Sequence, residues 1–249
     1  MKQSYRNPPV VEALCELFFE GGKWDDSTPD ALYRGWATDF PVRRELKRVQ
    51  AATTLSPGDA RTGVSESGAR MQAVAAGGGQ MLQAEPRLLV VNQLAPYPVE
   101  GFDAWEPVLR RALDDYARVC APDAIRRIGI RYINKVELPV GTNVTEFFRV
   151  FPAFPSDLAR ASDDFFLRAE MPVKGENRRL LLSMGVAPTS QPDCRSFVLD
   201  LYFVSENSLA RPFTGLAADV QVAHEIISDA FEACITDTAR SHFNAGMLP

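Results

Sequence analysis

The chain has 249 residues, 46% of them hydrophobic and 24% charged, with a formal net charge of −5. This is the composition of an ordinary globular protein; without a run of about eighteen apolar residues we expect no membrane span, and the acidic balance argues against a general affinity for nucleic acid phosphates. The chain starts with polar residues that lead directly into a strand pattern, so we expect no signal peptide and a cytoplasmic location.

The first predicted strand covers residues 11–19, where apolar and acidic side chains alternate. Period-two alternation is typical of a strand with one buried face and one open face. The open face carries Glu12, Glu16 and Glu20. Two glycines end the strand, and Thr28-Pro29 predicts the start of a helix, because proline favours the first helical turn.

The remainder of the first half combines a segment poor in apolar residues with clear secondary structure. Residues 51–69 hold few large apolar groups and are predicted to form a mobile loop. Three short strands follow at about 70–76, 80–85 and 87–94. A helix with apolar residues at helical spacing then covers about 103–120.

The second half repeats this order. A strand begins at Arg126, and a short helix follows at about 145–151. Three further strands are predicted at 165–173, 179–187 and 196–205, before a long helix at about 219–240.

The matching order predicts an α+β fold built by duplication of a strand–helix–three-strand–helix unit. The two pseudo-repeats cover about 8–121 and 125–243 within a single domain, residues 1–249. One unit alone would leave an edge of its first strand open, and pairing the two first strands removes that edge. The expected result is one continuous antiparallel, saddle-like sheet with helices on one face.

Antiparallel pairing of the first strands also predicts a structural charge ladder at the centre of the open face. Its acidic members are Glu12, Glu16 and Glu20, and its basic members are Arg127, Arg131 and Lys135. Cross-strand pairs contribute about 0.2–1 kcal/mol each, so the ladder would specify the register more than it would stabilise the fold.

The open face is the predicted binding surface, because ligand sites combine a concave shape with a few converging polar groups. Its candidate binding residues are Arg131, Lys135, Arg168, Glu170, Asp200 and Tyr202. The alternative is a solvated sheet face with ordinary ion pairs.

Tyr97 is a further candidate binding residue. It stands between Pro96 and Pro98, which fix the chain direction and would hold the ring as a rigid contact surface. The alternative is a turn packed against Trp105 at the start of the following helix.

No pattern of catalytic or metal-binding residues stands out. The four cysteines lie far apart without a CxxC pair, and with only two histidines they form no zinc-site spacing, so we expect no metal and no cofactor. His224 lies beside the apolar stripe of the last helix, where a general base is conceivable. Because no serine or cysteine nucleophile has a recognisable context, a structural histidine is favoured.

Four segments resemble a sporadically distributed family of prokaryotic proteins. They are NPPVVEA at 7–13, VNQLAPYP at 91–98, RIGIRYIN at 127–134 and FEACITD at 231–237, and they keep their order across nearly the whole chain. The resemblance implies no particular activity and no catalytic residues. The patchy distribution of the family is similar to that of genes that travel with mobile or defence loci.

The sequence therefore predicts a non-enzymatic protein-interaction module of a small prokaryotic system, with another protein bound on the open face or at a sheet edge. One alternative is a small-molecule or nucleotide sensor that uses Arg131, Lys135 and Arg168 as anion contacts. Another alternative is an enzyme of unrecognised type. The outer edge strands of such a sheet are free to pair, so a homodimer is a further expectation.

Overall fold

The computed structural model describes residues 5–56, 59–98, 100–152, 164–189 and 191–245. These residues form an α+β fold with one large antiparallel sheet. The strands are β1 (Val10–Glu20), β2 (Val42–Ser56), β3 (Asp59–Val74), β4 (Gln80–Glu85), β5 (Leu88–Leu94), β6 (Ala124–Pro139), β7 (Phe166–Pro172), β8 (Arg178–Ala187), β9 (Cys194–Ser205) and β10 (Leu209–Ala210). The helices are α1 (Thr28–Trp36), α2 (Glu106–Cys120), α3 (Leu216–Cys234) and α4 (Asp237–Asn244), with short 3-10 turns at Gly101–Ala104 and Val144–Glu146.

The first strands of the two halves lie side by side in the sheet. The strand order is β2-β3-β4-β5-β1-β6-β9-β8-β7, with β10 paired to β6. β1 and β6 pair antiparallel from Val10 opposite Asn134 to Glu20 opposite Ala124, with irregularities at both ends. The alternation of apolar and acidic residues in β1 thus places one face of the sheet in the core.

The core lies between the sheet and the long helices. In β1 the odd-numbered residues from Ala13 to Phe19 are almost completely buried, and they belong to one cluster with the apolar faces of α1, α2 and α3. α2 packs on β5, while α3 packs on β6 and β9. Phe19 and Tyr116 stack with their ring centroids 4.5 Å apart, which ties β1 to α2. Each fully buried side chain of this size contributes about 1.5–3 kcal/mol.

The prediction of a loop over residues 51–69 is corrected by the structure, which forms a hairpin there. Apart from residues 57 and 58, the backbone of this segment runs in β2 and β3, which pair from Val42 opposite Val74 to Ser56 opposite Asp59. β4 pairs with β3 only from Met71 onward, so the distal part of the hairpin is a two-stranded ribbon. A ribbon that packs on no further strand needs no apolar periodicity, and the sequence pattern therefore missed it.

The helices of the second half also differ from their predicted bounds. The short helix expected at about 145–151 is only a 3-10 turn at Val144–Glu146. The long helix expected to reach residue 240 breaks at Ile235, which is extended and bridges to Phe148. Thr236 then caps a new helix, because its hydroxyl accepts a hydrogen bond from the backbone N–H of Ala239. None of the described helices is long and apolar enough to cross a membrane.

Candidate functional site

Most of the predicted binding residues on the open face, the face of the sheet away from α2 and α3, are already paired with other side chains of the chain. Arg131 on β6 donates two hydrogen bonds to Asp200 on β9, at 2.8 Å from Nε and 2.6 Å from a terminal nitrogen. The pairing with Asp200 raises the pKa of Arg131. Lys135 lies 3.2 Å from Glu137 on its own strand. These two cations are therefore compensated within the chain before any ligand arrives.

Tyr202 joins the open face to β1. Its hydroxyl donates a 2.7 Å hydrogen bond to Glu16, and burial followed by the charge of Glu16 raises the pKa of this tyrosine. The contact fits only because Gly129 lies directly opposite Glu16: a methyl group at 129 would stand 2.7 Å from the Tyr202 hydroxyl. A glycine inside a strand marks a close approach of this kind.

The structure does not form the predicted charge ladder. β1 and β6 are neighbours, but Glu12 stands opposite Ile133, Glu16 opposite Gly129 and Glu20 opposite Ala124. The basic residues Arg131 and Arg127 stand opposite Leu14 and Phe18, which alternate with the glutamates on the same face of β1. Arg127 accordingly lies over the Phe18 ring, 3.6 Å from its centroid, as a cation–π contact.

Glu12 belongs instead to a chain of side-chain amides that crosses four strands. Gln72 donates to Gln83 at 3.0 Å, Gln83 donates to Asn92 at 2.8 Å, and Asn92 donates to Glu12 at 2.6 Å. The three amide residues are all buried. Buried amides need such partners, so the polar residues that end β5 have a structural role.

The remaining candidates on the open face lie on the edge strand β7. Arg168 is exposed and forms no ion pair with any residue that the structure describes. Glu170 lies 3.4 Å from Arg179, which also pairs with Glu206 at 2.7 Å. β7 is three strands away from β6, so the structure does not bring these two residues together with Arg131.

Tyr97 lies on the opposite side of the sheet, in a cleft between α3, β6 and the segment before α2. The cleft has a volume of about 200 Å³. Six ring side chains line it: Tyr5, Tyr97, Phe102, Tyr132, His224 and Phe231. Sequence analysis singled out only Tyr97 from this set as a binding residue.

A chain of hydrogen bonds runs through these rings. The Trp105 indole N–H donates to the Tyr97 hydroxyl at 3.4 Å, and the Tyr97 and Tyr132 hydroxyls lie 3.0 Å apart. The Tyr132 hydroxyl lies 3.1 Å from Nδ1 of His224, whose ring stacks on Phe102 at 5.2 Å between centroids. Tyr97 thus makes the contact with Trp105 expected of a structural turn, and it also exposes part of its ring to the cleft.

Burial keeps the cleft tyrosines protonated. It is the largest cause of the raised pKa of Tyr97 and of Tyr132. Tyr5 also has a raised pKa, because it is buried and donates a 2.5 Å hydrogen bond to Glu232. Near neutral pH these side chains are therefore neutral hydrogen-bonding groups with intact aromatic faces.

Acidic groups surround the rings. Glu100, Asp103 and Glu232 line the cleft, and no lysine or arginine is among the described residues that form its wall. Glu232 is partly compensated by Arg240, 2.9 Å away. Glu100 and Asp103 are exposed at the mouth, so they supply most of the negative potential.

Asn134 forms the floor of the cleft on β6. It is buried and donates a hydrogen bond to the carbonyl of Leu199 at 3.1 Å. Among the described residues, no three His, Cys, Asp or Glu side chains converge in a way that would hold a metal ion.

Sequence reasoning missed the cleft because its wall comes from four distant segments, around residues 5–10, 97–103, 132–134 and 224–232. All four segments that resemble the prokaryotic family contribute residues to this wall, and the NPPVVEA segment contributes Pro8, Pro9 and Val10. The sequence matches no protein-family model and no curated protein. The family resemblance therefore rests on the four segments alone.

Proposed function

We propose that the protein binds a small organic cation in the cleft and acts as a ligand-binding or sensing protein. The observation that carries the proposal is the composition of the wall, in which six rings and three carboxylates meet and the described residues include no lysine or arginine. Aromatic faces attract ammonium groups through their quadrupoles, and carboxylates add a direct charge attraction.

The same geometry disfavours an anionic ligand. A nucleotide would have to approach Glu100 and Asp103, and like charges repel at this distance range. On the open face, Arg131 and Lys135 already hold carboxylates, which weakens the earlier expectation that they serve as anion contacts. The sensing function is thus proposed for a cationic ligand in the cleft, rather than for an anionic ligand on the open face.

The tyrosine hydroxyls of the cleft act as neutral hydrogen-bonding groups. Because burial raises the pKa of Tyr97 and of Tyr132, neither hydroxyl is a base near neutral pH. The hydroxyl chain that ends at His224 fixes the orientation of the rings. A rigid ring arrangement lowers the entropic cost of holding a ligand.

The test uses choline, tetramethylammonium and n-butylammonium as probes in thermal-shift and calorimetric titrations of the full chain. We expect at least one of them to raise the melting temperature, because a ligand that binds only the folded state stabilises it. Asp103→Asn should weaken that binding by about threefold to tenfold. Asp114→Asn, an equal charge change at an exposed site of α2, is the matched control.

Two outcomes would contradict the cleft as a cation site. One is that none of the three cations binds at concentrations up to the millimolar range. The other is that Asp103→Asn and Asp114→Asn change the affinity equally, which would indicate a general effect of net charge.

A partner protein on the open face or at a sheet edge is a second candidate function. The exposed apolar side chains of β7 favour it, with Phe166 74% and Met171 36% exposed. Exposed aromatic groups beside polar residues are typical of interaction surfaces. A stoichiometric partner that is lost on Phe166→Ser would support this function, whereas binding unchanged by that substitution would remove β7 from consideration.

We also infer that the chain is a duplication and that it belongs to the prokaryotic family it resembles. The strand orders β3-β4-β5-β1 and β7-β8-β9-β6, together with a long helix after each set, support the duplication and a saddle-like sheet. A role in a small prokaryotic or defence system rests on the family resemblance. Superposition of the two halves in an experimental structure tests the duplication; it fails if α2 and α3 do not coincide when β1 is placed on β6.

A further inference from the structure

The edge strand β7 presents a regular set of backbone groups on the side away from β8. The carbonyl of Phe165 accepts from the N–H of Val186, and the N–H of Val173 donates to the carbonyl of Arg178. Both bonds to β8 use odd-numbered residues of this segment. In an antiparallel pair the hydrogen-bonding direction alternates along the strand, so the even-numbered residues direct their backbone groups outward. Those residues are Phe166, Arg168 and Glu170, with the carbonyl of Pro172.

Nothing in the part of the chain that the structure describes pairs with this outer edge, since β7 is the last strand of the sheet. The side chains of the even-numbered residues lie on the open face: Arg168 stands next to Ser183 and Glu170 next to Leu181 of β8. Phe166 is 74% exposed, and Arg168 is exposed. An edge of this kind is a template for an additional strand.

We propose that β7 pairs with β7 of a second copy of this chain, antiparallel about a two-fold axis at Ala169. Arg168 of each copy then stands opposite Glu170 of the other, and the two residues exchange both backbone hydrogen bonds through their outward groups. Phe166 stands opposite Pro172 on the same face. The interface is therefore self-complementary in charge, in apolar contact and in backbone hydrogen bonding, as a two-fold interface requires.

Charge selects this register over its neighbours. The outward backbone groups belong to even-numbered residues, so each hydrogen-bonded pair must join an even-numbered residue of one copy to an even-numbered residue of the other. The registers that satisfy this condition have their two-fold axis at one residue of β7, and neighbouring registers differ by a shift of the axis to the next residue. An axis at Arg168 places two guanidinium groups opposite each other, and an axis at Glu170 does the same with two carboxylates. Directly opposed like charges are destabilising, whereas opposite charges stabilise a cross-strand pair. Only the axis at Ala169 sets Arg168 against Glu170 twice.

The ion pairs within the chain permit this arrangement. Glu170 lies 3.4 Å from Arg179, a separation longer than that of a normal hydrogen bond. Arg179 also contacts Glu206 at 2.7 Å and keeps that partner when Glu170 turns outward. The cleft is built on β6, three strands away, so dimer formation and cation binding are independent of each other.

A charge-reversal series tests the register by sedimentation equilibrium of the full chain over a range of concentrations. Wild type should be a monomer–dimer equilibrium. Arg168→Glu and Glu170→Arg alone should each raise the dimer Kd by about tenfold or more, because each turns two attractive pairs into two repulsive ones. The double variant should restore the dimer. Arg44→Glu, an equal change on the opposite edge strand β2, should leave the dimer unchanged.

Disulfide trapping gives an independent test that depends little on affinity. In the proposed register the two copies of Ala169 face each other as a non-hydrogen-bonded pair about 4.5 Å apart, within the range that a disulfide spans. In a Cys194→Ser background, Ala169→Cys should form a covalent dimer under mild oxidation. Leu167→Cys should not, because its two copies would be roughly 14 Å apart along the strands.

A monomer at all concentrations, with no covalent dimer from Ala169→Cys, would overturn the proposal. A dimer that Arg168→Glu does not weaken would also overturn it, because such a dimer uses another surface. Covalent dimers formed equally by Ala169→Cys and Leu167→Cys would exclude the register. Circular dichroism of each variant confirms that the fold is intact before the comparison is made.

Discussion

At the scale of single residues, Tyr132 is the centre of the cleft. Its hydroxyl lies between the hydroxyl of Tyr97 and the Nδ1 atom of His224, and the residue itself is buried. Sequence analysis gave Tyr132 no binding role. A tyrosine on an apolar strand face looks like a core residue unless the position of the facing helix is known.

Removal of that hydroxyl should weaken the fold. Tyr132→Phe breaks the link between Tyr97 and His224 while keeping the ring, so we expect the free energy of unfolding to fall by about 1–2 kcal/mol. Urea denaturation of the purified variant measures this. Tyr33→Phe, which removes an exposed hydroxyl bonded to the carbonyl of Pro41, is the control and should cost about 0.5 kcal/mol or less. Equal effects of the two substitutions would show that the hydroxyl chain adds no stability.

Gly129 shows how a single residue decides the chemistry of the open face. The glutamate expected to face a basic side chain faces this glycine, and the vacant space admits the Tyr202 hydroxyl. The isolated glycine in the pattern of β6 was a signal available from the sequence, because glycine inside a strand marks a close approach.

Filling that space should cost stability. Gly129→Ala places a methyl group 2.7 Å from the Tyr202 hydroxyl and 3.1 Å from Glu16, so the hydrogen bond between them must separate. We expect a loss of about 1–3 kcal/mol in the free energy of unfolding. Gly77→Ala is the matched control, since nothing lies within 4 Å of its added methyl group. A destabilisation no larger than that of Gly77→Ala would mean that Tyr202 moves away without loss.

At the scale of secondary structure, strands with one buried face were predicted well and polar strands were not. The alternation in β1 gave a strand over 11–19, against the observed Val10–Glu20. Over most of its length the β2–β3 ribbon pairs with no further described strand, and residues 51–69 hold few large apolar groups, so its sequence resembles a loop. The charge ladder failed for a related reason. Leu14 and Phe18 share the face of the glutamates. Glu12 bonds instead to Asn92 on β5, the neighbour on the other side of β1, and Glu16 bonds to Tyr202 on β9, one strand beyond β6.

The break between α3 and α4 depends on the cap at Thr236. The Thr236 hydroxyl accepts from the N–H of Ala239 at the start of α4 and also contacts the carbonyl of Phe147 at 3.3 Å. Thr236→Ala should therefore lower the free energy of unfolding by about 1 kcal/mol. Ser27→Ala at the start of α1 is the comparison, because the Ser27 side chain makes no capping hydrogen bond. Thermal unfolding that ranks the two variants in the opposite order would contradict this role.

At the scale of the whole molecule, the α+β class and the single antiparallel sheet follow from the order of elements, whereas the cleft does not. Its wall needs the packing of α3 on β6 and the position of the Tyr97 turn beside Phe102. Neither of these contacts can be predicted from the periodicity of apolar residues within one element. The charge of the proposed ligand follows from the same assembly, because Glu232 and the pair Glu100 and Asp103 come from two separate segments and meet only in the folded chain.

The most direct test of cation binding compares choline with its neutral isostere 3,3-dimethyl-1-butanol in calorimetric titrations of the wild-type chain. The two molecules share size and shape, so only the positive charge differs. Rings and carboxylates that attract a cation should bind choline at least about tenfold more tightly, which corresponds to about 1.4 kcal/mol. Equal affinity for the two, or tighter binding of the alcohol, would show that the cleft is an apolar pocket and would contradict the proposed function.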